Sequence, residues 1–355
     1  MFTLEFLGWT PFFEQQLSSS AWGDLVPARV AEERKGFYRV FCEAGDLLAE
    51  PAGKLRHAAD GRQGLPAVGD WVLMRPRLAE GRATIHQLLE RRSKFSRQAA
   101  GRATSEQVLA ANVDTAFLIT ALDRDFSPRR IERYVAVTWE SGARPVVLLN
   151  KADLVDDALP FLWEAEAAAP GVGVHLISAV TGSGLDALAC YLAVGQTVVL
   201  LGSSGVGKST LINRLAGREL LRVSAISPNT NRGRHATTWR QMVALQCGAL
   251  LIDTPGLREL QLWDASSGLC QAFEDIAADA AACRFRNCTH ATEPGCAVQA
   301  AVNSGELAPE RLAGYRKLER ELAFQHRKQD AAARAEENRR WRAIHKAQRE
   351  FYKRR

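Results

Sequence analysis

The sequence predicts a multidomain chain: an N-terminal β-barrel of the OB type, a central α/β domain built on a P-loop, and a C-terminal metal-binding module with a basic helical tail. Three observations predict it. Between about Ala28 and Glu90, short apolar runs alternate with polar residues and are cut by glycine. From about Val108, buried-looking strands alternate with helical segments around a glycine-rich loop at Gly202–Ser209. A cluster of Cys283, Cys288, His290 and Cys296 then precedes an end rich in Lys and Arg. The expected divisions are 1–97, 98–262, 263–308 and 309–355.

The first 25 residues carry Phe2, Phe6, Trp9, Phe12 and Phe13, which predicts a leader packed on its neighbour. The runs Phe37–Cys42, Trp71–Met74 and Ala83–Leu89, with glycines between, have the spacing of short antiparallel strands in a small barrel or sandwich, and an OB-type barrel fits the length. Such barrels often bind single-stranded nucleic acid, although a purely structural β-domain has the same pattern. Arg91 to Arg97 then forms a basic connector, either a strip along a phosphate backbone or a linker.

In the central domain, Ala116–Thr120, Pro145–Leu149, Val174–Ile177, Val198–Leu201 and Ala249–Ile252 read as buried strands, and Arg130–Glu140 as a helix. After Val198–Leu201 comes Gly202-Ser203-Ser204-Gly205-Val206-Gly207-Lys208-Ser209, then the helical run from Thr210. This is a P-loop: glycines let backbone N–H groups and a helix N-terminus face phosphate oxygens. Lys208 is placed to reach the β/γ phosphates, the Ser209 hydroxyl to take one position on Mg²⁺, and Thr210 counts among the nucleotide contacts.

Two more motifs follow strands, where ligands bind in such sheets. Asn150-Lys151-Ala152-Asp153 is suited to guanine. The Asp153 carboxylate accepts from the two donors that adenine lacks, Asn150 braces the loops, and the Lys151 stem covers the base. Ser178-Ala179 adds a backbone N–H for guanine O6. Asp253-Thr254-Pro255-Gly256 would hold Mg²⁺ through Asp253 and sense the γ-phosphate through the Gly256 N–H. Between them, a threonine in Gly233-Arg234-His235-Ala236-Thr237-Thr238 would complete the magnesium shell. Leu257 stands where a glutamine orients the attacking water in Ras-like enzymes. His235 is the nearest candidate for that task; a plain surface-loop histidine is the other reading. The base-reading motif precedes the P-loop, so the domain is read as circularly permuted, which sheets with neighbouring surface termini tolerate.

Cys283, Cys288, His290 and Cys296 supply three thiolates and an imidazole, the donor set of a closed, structural Zn²⁺ site with one ion per chain. A redox role is the competing reading, against which the histidine and the short loop weigh. The other four cysteines, Cys42, Cys190, Cys247 and Cys270, are expected as buried free thiols. Beyond Pro309, Leu312, Tyr315, Leu318 and Leu322 form a helical stripe. Residues 311–355 hold fifteen Lys/Arg against six Asp/Glu in a chain whose total is +6, so the basic charge sits at the end. Such an appendage suits a polyanion, nucleic acid first; a solvated surface helix is the other reading. The 355 residues are 46% apolar and 24% charged, as in ordinary soluble chains. The start at Met1–Trp9 has no basic, signal-like region, the seven cysteines are an odd number, and no apolar run reaches spanning length. A secreted disulfide framework and a membrane span are therefore not expected, and a cytoplasmic location is.

These residues resemble the ribosome small-subunit-dependent GTPase A family across nearly the whole chain. The match rests on Leu65–Val72, Ala111-Asn112-Val113-Asp114, Asn150–Asp153, Gly202–Ser209, Gly233-x-His235, Asp253–Gly256 and the Cys-Cys-His-Cys module. The resemblance implies an OB domain, a permuted GTPase and a zinc module acting in late maturation of the 30S subunit. It further implies contact with rRNA, turnover stimulated by the subunit, and a role for His235 in hydrolysis. Relatives carry three threonines after that histidine; here Ala236 replaces the first, leaving Thr237 or Thr238 for Mg²⁺. A monomer is expected. The alternatives are a metabolic P-loop enzyme such as a kinase, or a non-catalytic RNA-binding protein with a vestigial GTP site.

Overall fold

A computed structural model describes residues 2–325 and 335, except 18–22, 35, 60, 62, 99–105, 124, 220–239 and 254–265. The barrel is built from β1 (Val26–Arg34), β2 (Phe37–Cys42), β3 (Gly45–Pro51), β4 (Trp71–Arg77) and β5 (Arg82–Leu88). Strand order is β1-β2-β3-β5-β4, and β4 closes back on β1. All neighbours are antiparallel except β3 and β5. Closure gives every strand two partners, and β1 must divide its length between them. β1 does so by pairing its first half with β4 and its second with β2, across a bulge between Val30 and Glu32. Alternate residues Val40, Ala49, Val72, Met74 and Ile85 fill the interior.

The aromatic leader, with α1 (Pro11–Gln15), packs on this barrel as its composition predicts. Phe2 stacks on Phe41, and Trp9 meets the edge of the buried Trp71. Helix α2 (Gly53–Ala58) lies between β3 and β4 in the chain.

A hairpin of β6 (Lys94–Gln98) and β7 (Glu106–Ala111) leads out of the barrel. The basic connector here is neither a free strip nor a slack linker. Arg91 grips Asp70 through both carboxylate oxygens, at 2.8 and 2.7 Å, and Arg92 pairs with Asp114. Burial pushes the Asp70 carboxyl up, against the lowering pull of Arg91. At Gly69 (φ +94) a Cβ would stand 2.0 Å from the Ala111 carbonyl oxygen, so only glycine lets the barrel approach this closely. The fully buried Arg29 donates to the carbonyls of Leu7, Gly69 and Asn112, joining leader, barrel and central domain. Burial lowers its pKa to about 10.

The central sheet comprises β8 (Thr115–Ala121), β9 (Arg144–Asn150), β10 (Gly173–Leu176), β11 (Thr197–Leu201), β12 (Gln241–Ala244) and β13 (Leu250–Asp253), in the order β10-β9-β8-β11-β13-β12. The first five in that order are parallel, and β12 is an antiparallel edge that also meets β1 at Glu32 and Gln241. Helices α3 (Pro128–Ser141), α4 (Leu159–Ala168) and α5 (Lys208–Ala216) cover it. Buried runs such as Val146–Leu149 and Val198–Leu201 are apolar throughout because both faces are covered.

The C-terminal module holds α6 (Ser266–Ala272), α7 (Glu274–Ala281), α8 (Ala297–Ser304) and α9, a helix over residues 309–325. It docks along α3. Glu140 accepts from the Ser267 hydroxyl and the Gly268 N–H, Arg133 pairs with Glu321, and Arg311 lies between Asp275 and Glu132. Among the four cysteines expected as buried, only Cys42 is; Cys190, Cys247 and Cys270 are exposed, each on a turn or a short amphipathic helix whose other face packs inward.

Candidate nucleotide site and metal centre

Parallel pairing brings the motif loops to one edge of the sheet. Leu201 aligns with Leu118, Val199 with Ile252, Asn150 with Ala121 and Leu176 with Leu149. The segments after β9, β10, β11 and β13 therefore leave together at the carboxyl end, where a crevice can take a ligand.

The P-loop Gly202–Ser209 joins β11 to α5, with Ser209 and Thr210 in the first turn of that helix. Gly207 has φ +96, and a Cβ there would meet the Asn150 side-chain nitrogen at 2.3 Å. Asn150 uses both ends of its buried amide. Its Nδ2 donates to the Val206 carbonyl at 2.7 Å, and its Oδ1 accepts from the Ala179 N–H at 2.9 Å. One side chain thus ties the P-loop to the loop after β10. The Ala179 N–H, expected to meet guanine O6, is committed to Asn150, so a purine carbonyl would share that hydrogen or take an adjacent donor. Ser178 shapes the same turn, its hydroxyl accepting from Thr181 N–H at 3.1 Å. Lys208 bends over the loop and donates to the Gly202 carbonyl at 2.7 Å and to that of Ser203. Ser204 and Gly205 form the exposed tip.

Lys151 sits in the left-handed region (φ +67), and its ammonium is held by Asp123 at 2.8 Å. Partial burial raises the Asp123 carboxyl, but the Lys151 bond and the Asp125 N–H outweigh it and the net shift is downward. Asp153 lies exposed in the 3-10 turn Ala152–Leu154 that follows. Asp253 ends β13, across from Gln241. His235, Thr237, Thr238 and Gly256 lie outside the described residues.

The structure adds residues that motif reading missed. Asp125 accepts from the Ser203 hydroxyl at 2.6 Å and from Arg130 at 2.5 Å, linking the P-loop to the start of α3. With Asp123, it follows β8 at the same carboxyl edge, and that position was the available signal.

In the C-terminal module, Cys283, Cys288, His290 and Cys296 place their ligand atoms within 4.8 Å of one another. His290 Nδ1 lies 3.6 Å from Cys283 Sγ and 3.5 Å from Cys296 Sγ, and the two sulfurs are 3.8 Å apart. Ligands at about 2.0–2.3 Å from a tetrahedral centre stand apart by about 3.5–3.8 Å, the spacing that Cys283, His290 and Cys296 show, with the Cys288 sulfur within 4.8 Å of each. The N-terminus of α8 supports this donor set: Gln299 N–H donates to Cys296 Sγ at 3.4 Å. Burial by itself raises the Cys283 thiol, and the N–H groups of Val298 and Ala297 bring it below its ordinary value.

Comparison with known proteins agrees with this architecture. Residues 88–263 match the model of the RsgA GTPase family. A small ribosomal subunit biogenesis GTPase RsgA from Opitutus terrae is 49% identical over 356 aligned positions, covering 98% of this chain and 97% of that protein. One from Lactiplantibacillus plantarum is 45% identical over 84% of each chain. Among solved structures, YjeQ from Thermotoga maritima is similar with a TM-score of 0.65 at 26% identity, over 84% of this chain and 99% of that one. YloQ, described as a circularly permuted GTPase, shares the fold with a TM-score of 0.62 at 24% identity, over 86% of this chain and 97% of its own. With a barrel, a permuted P-loop domain and a Cys-Cys-His-Cys module in one order, and half its residues shared with a relative along nearly its full length, this chain belongs to the RsgA family of small ribosomal subunit biogenesis GTPases.

Proposed function

We propose that this chain hydrolyses GTP to GDP and phosphate and acts in maturation of the small (30S) ribosomal subunit, with turnover raised by that subunit. The observation that carries the reading is the meeting of the guanine-type motif and the P-loop at one sheet edge, with Asn150 bonded to both loops. In this reading Gly202–Thr210 cradles the phosphates, and Asp153 reads the guanine donors with Lys151, Ser178 and Ala179 around the base. Bound Mg²⁺ would offset the charge of the β and γ phosphates, held by Ser209, by Asp253 and by Thr237 or Thr238. Gly256 senses the γ-phosphate and His235 orients the attacking water, a task Leu257 cannot perform.

The cysteine–histidine centre holds one structural Zn²⁺, consistent with three thiolates, one imidazole and no open position. Units at 1–97, 98–262, 263–308 and 309–355 divide the work, with barrel, zinc module and basic tail turned toward rRNA. The working form is a monomer in the cytoplasm; among the described residues no helix is long and apolar enough to cross a membrane. Family membership favours neither a kinase-like enzyme nor a vestigial, non-catalytic GTP site.

The test is GTP turnover measured with and without purified 30S subunits. Slow release of phosphate alone and a rise of at least tenfold on subunits is expected; equal rates would remove the subunit from the reading.

A further inference from the structure

Between residues 152 and 207 there are six Asp/Glu and no Lys or Arg, while the remaining chain carries 46 Lys/Arg against 34 Asp/Glu. The same stretch contains five of the eleven large apolar side chains exposed among the described residues. Three of these lie together in sequence on the 3-10 turn and helix α4: Leu154 is 68% exposed, Leu159 49% and Trp163 64%. Leu159 and Trp163, four residues apart, share one face of α4, while Ala165 and Ala168 on the opposite face are buried. The helix is anchored by Phe161, edge-on to Phe126, and its first turn is held by Asp157 Oδ1 accepting from the Leu159 N–H at 3.0 Å. Asp156, Asp157, Glu164 and Glu166 are exposed and flank these apolar residues in sequence.

We infer that this acidic, tryptophan-centred face of α4 docks a cationic protein segment, and that on the small subunit it meets a basic ribosomal protein rather than rRNA. The partner class follows from charge. Among the described residues these carboxylates form no ion pair; facing a phosphate backbone they repel it, whereas a Lys/Arg-rich peptide gains both steering and pairing. An exposed Trp with leucines beside it is the kind of anchor that dominates such interfaces. The excess of Lys and Arg lies mainly in residues 311–355, so the acidic face and the end suited to RNA are separate stretches of the chain. The inference rests on the 30S reading above.

The test places a photo-crosslinker at the centre of the patch in the full chain, as Trp163→p-benzoylphenylalanine, and irradiates it on purified 30S subunits. The expected product resists ribonuclease and joins position 163 to a Lys/Arg-rich stretch of one ribosomal protein. Adducts to rRNA, adducts to this chain's own basic tail, or none from a variant that still cosediments with subunits would each overturn it. Failure of the unmodified chain to cosediment would overturn the 30S reading and this inference with it, and is scored separately for that reason. In parallel, Leu159→Ser with Trp163→Ser should weaken subunit binding about tenfold with subunit-free turnover unchanged. Unaltered subunit affinity in that variant would count equally against the docking face.

Discussion

Asn150 donates its side-chain amide to the Val206 carbonyl across 2.7 Å, though 56 residues separate them in sequence. The bond crosses from the end of one strand to the glycine loop after another, and the same amide accepts from Ala179 N–H. Asn150→Ala would strand two buried backbone groups, each costing about 1–3 kcal/mol. Affinities for GTP and GDP should therefore fall together, by about tenfold or more, in titrations with a fluorescent nucleotide. Unchanged affinity would mean that the brace does not shape the pocket.

Asp153→Asn tests base reading separately from phosphate binding. An amide in place of the carboxylate loses the acceptor pair for guanine, and a mispaired polar site of this kind can cost up to about 10⁴-fold. Xanthosine triphosphate, with a carbonyl where guanine has its amino group, should be the nucleotide that the variant prefers. Retained preference for GTP would place the base elsewhere.

His235→Ala should slow subunit-stimulated hydrolysis by about 10²-fold, the usual scale for losing a group that handles the attacking water, while nucleotide affinity stays the same. Parallel loss of binding and turnover, in single-turnover assays beside binding titrations, would point to a structural role instead.

Glu132 supplies a pH test of the seam between α3 and the C-terminal module. It is 5% exposed and 3.6 Å from Arg311. Burial pushes its carboxyl up to about 7 from 4.5, more than offsetting the pull of Arg311. The folded chain then holds a proton that the unfolded chain releases, so this group's contribution is full below pH 4.5 and is lost as pH rises through about 7. Glu132→Gln mimics the protonated form. Its stability relative to the parent should climb between those pH values and level off above them, in unfolding curves taken across the range. Parallel pH profiles would disprove the assignment.

Metal removal should act on the C-terminal module first. A chelator strong enough to strip the ion, or Cys296→Ser, should release about one zinc per chain and unfold the segment around α7 and α8, since such centres supply folding energy directly. Colorimetric zinc release, followed alongside hydrogen exchange of residues 274–304, checks both parts. Full retention of protection in zinc-free protein would argue against a structural ion.

Much of this was legible in the sequence because the chemistry is local. A glycine loop between β11 and α5, a carboxylate after β9 and four soft ligands within one short segment are each specified by neighbours in the chain. Their permuted order can be read without coordinates. The connector showed the opposite: Arg91 and Arg92 could be read as cations along a phosphate backbone or as part of a linker, yet they pair with Asp70 and Asp114, partners that only barrel closure and the hairpin bring near. Asp125 gripping Ser203, Arg29 joining three carbonyls and Glu132 facing Arg311 are likewise invisible along the chain. Each depends on strand register and helix docking over long separations. By itself, then, the sequence determined which groups could hold phosphate, base and metal, because backbone shape and donor type act over a few residues. The tertiary structure alone decided which charges remain available and which are spent in holding the domains together, because burial and pairing depend on what distant segments place alongside them.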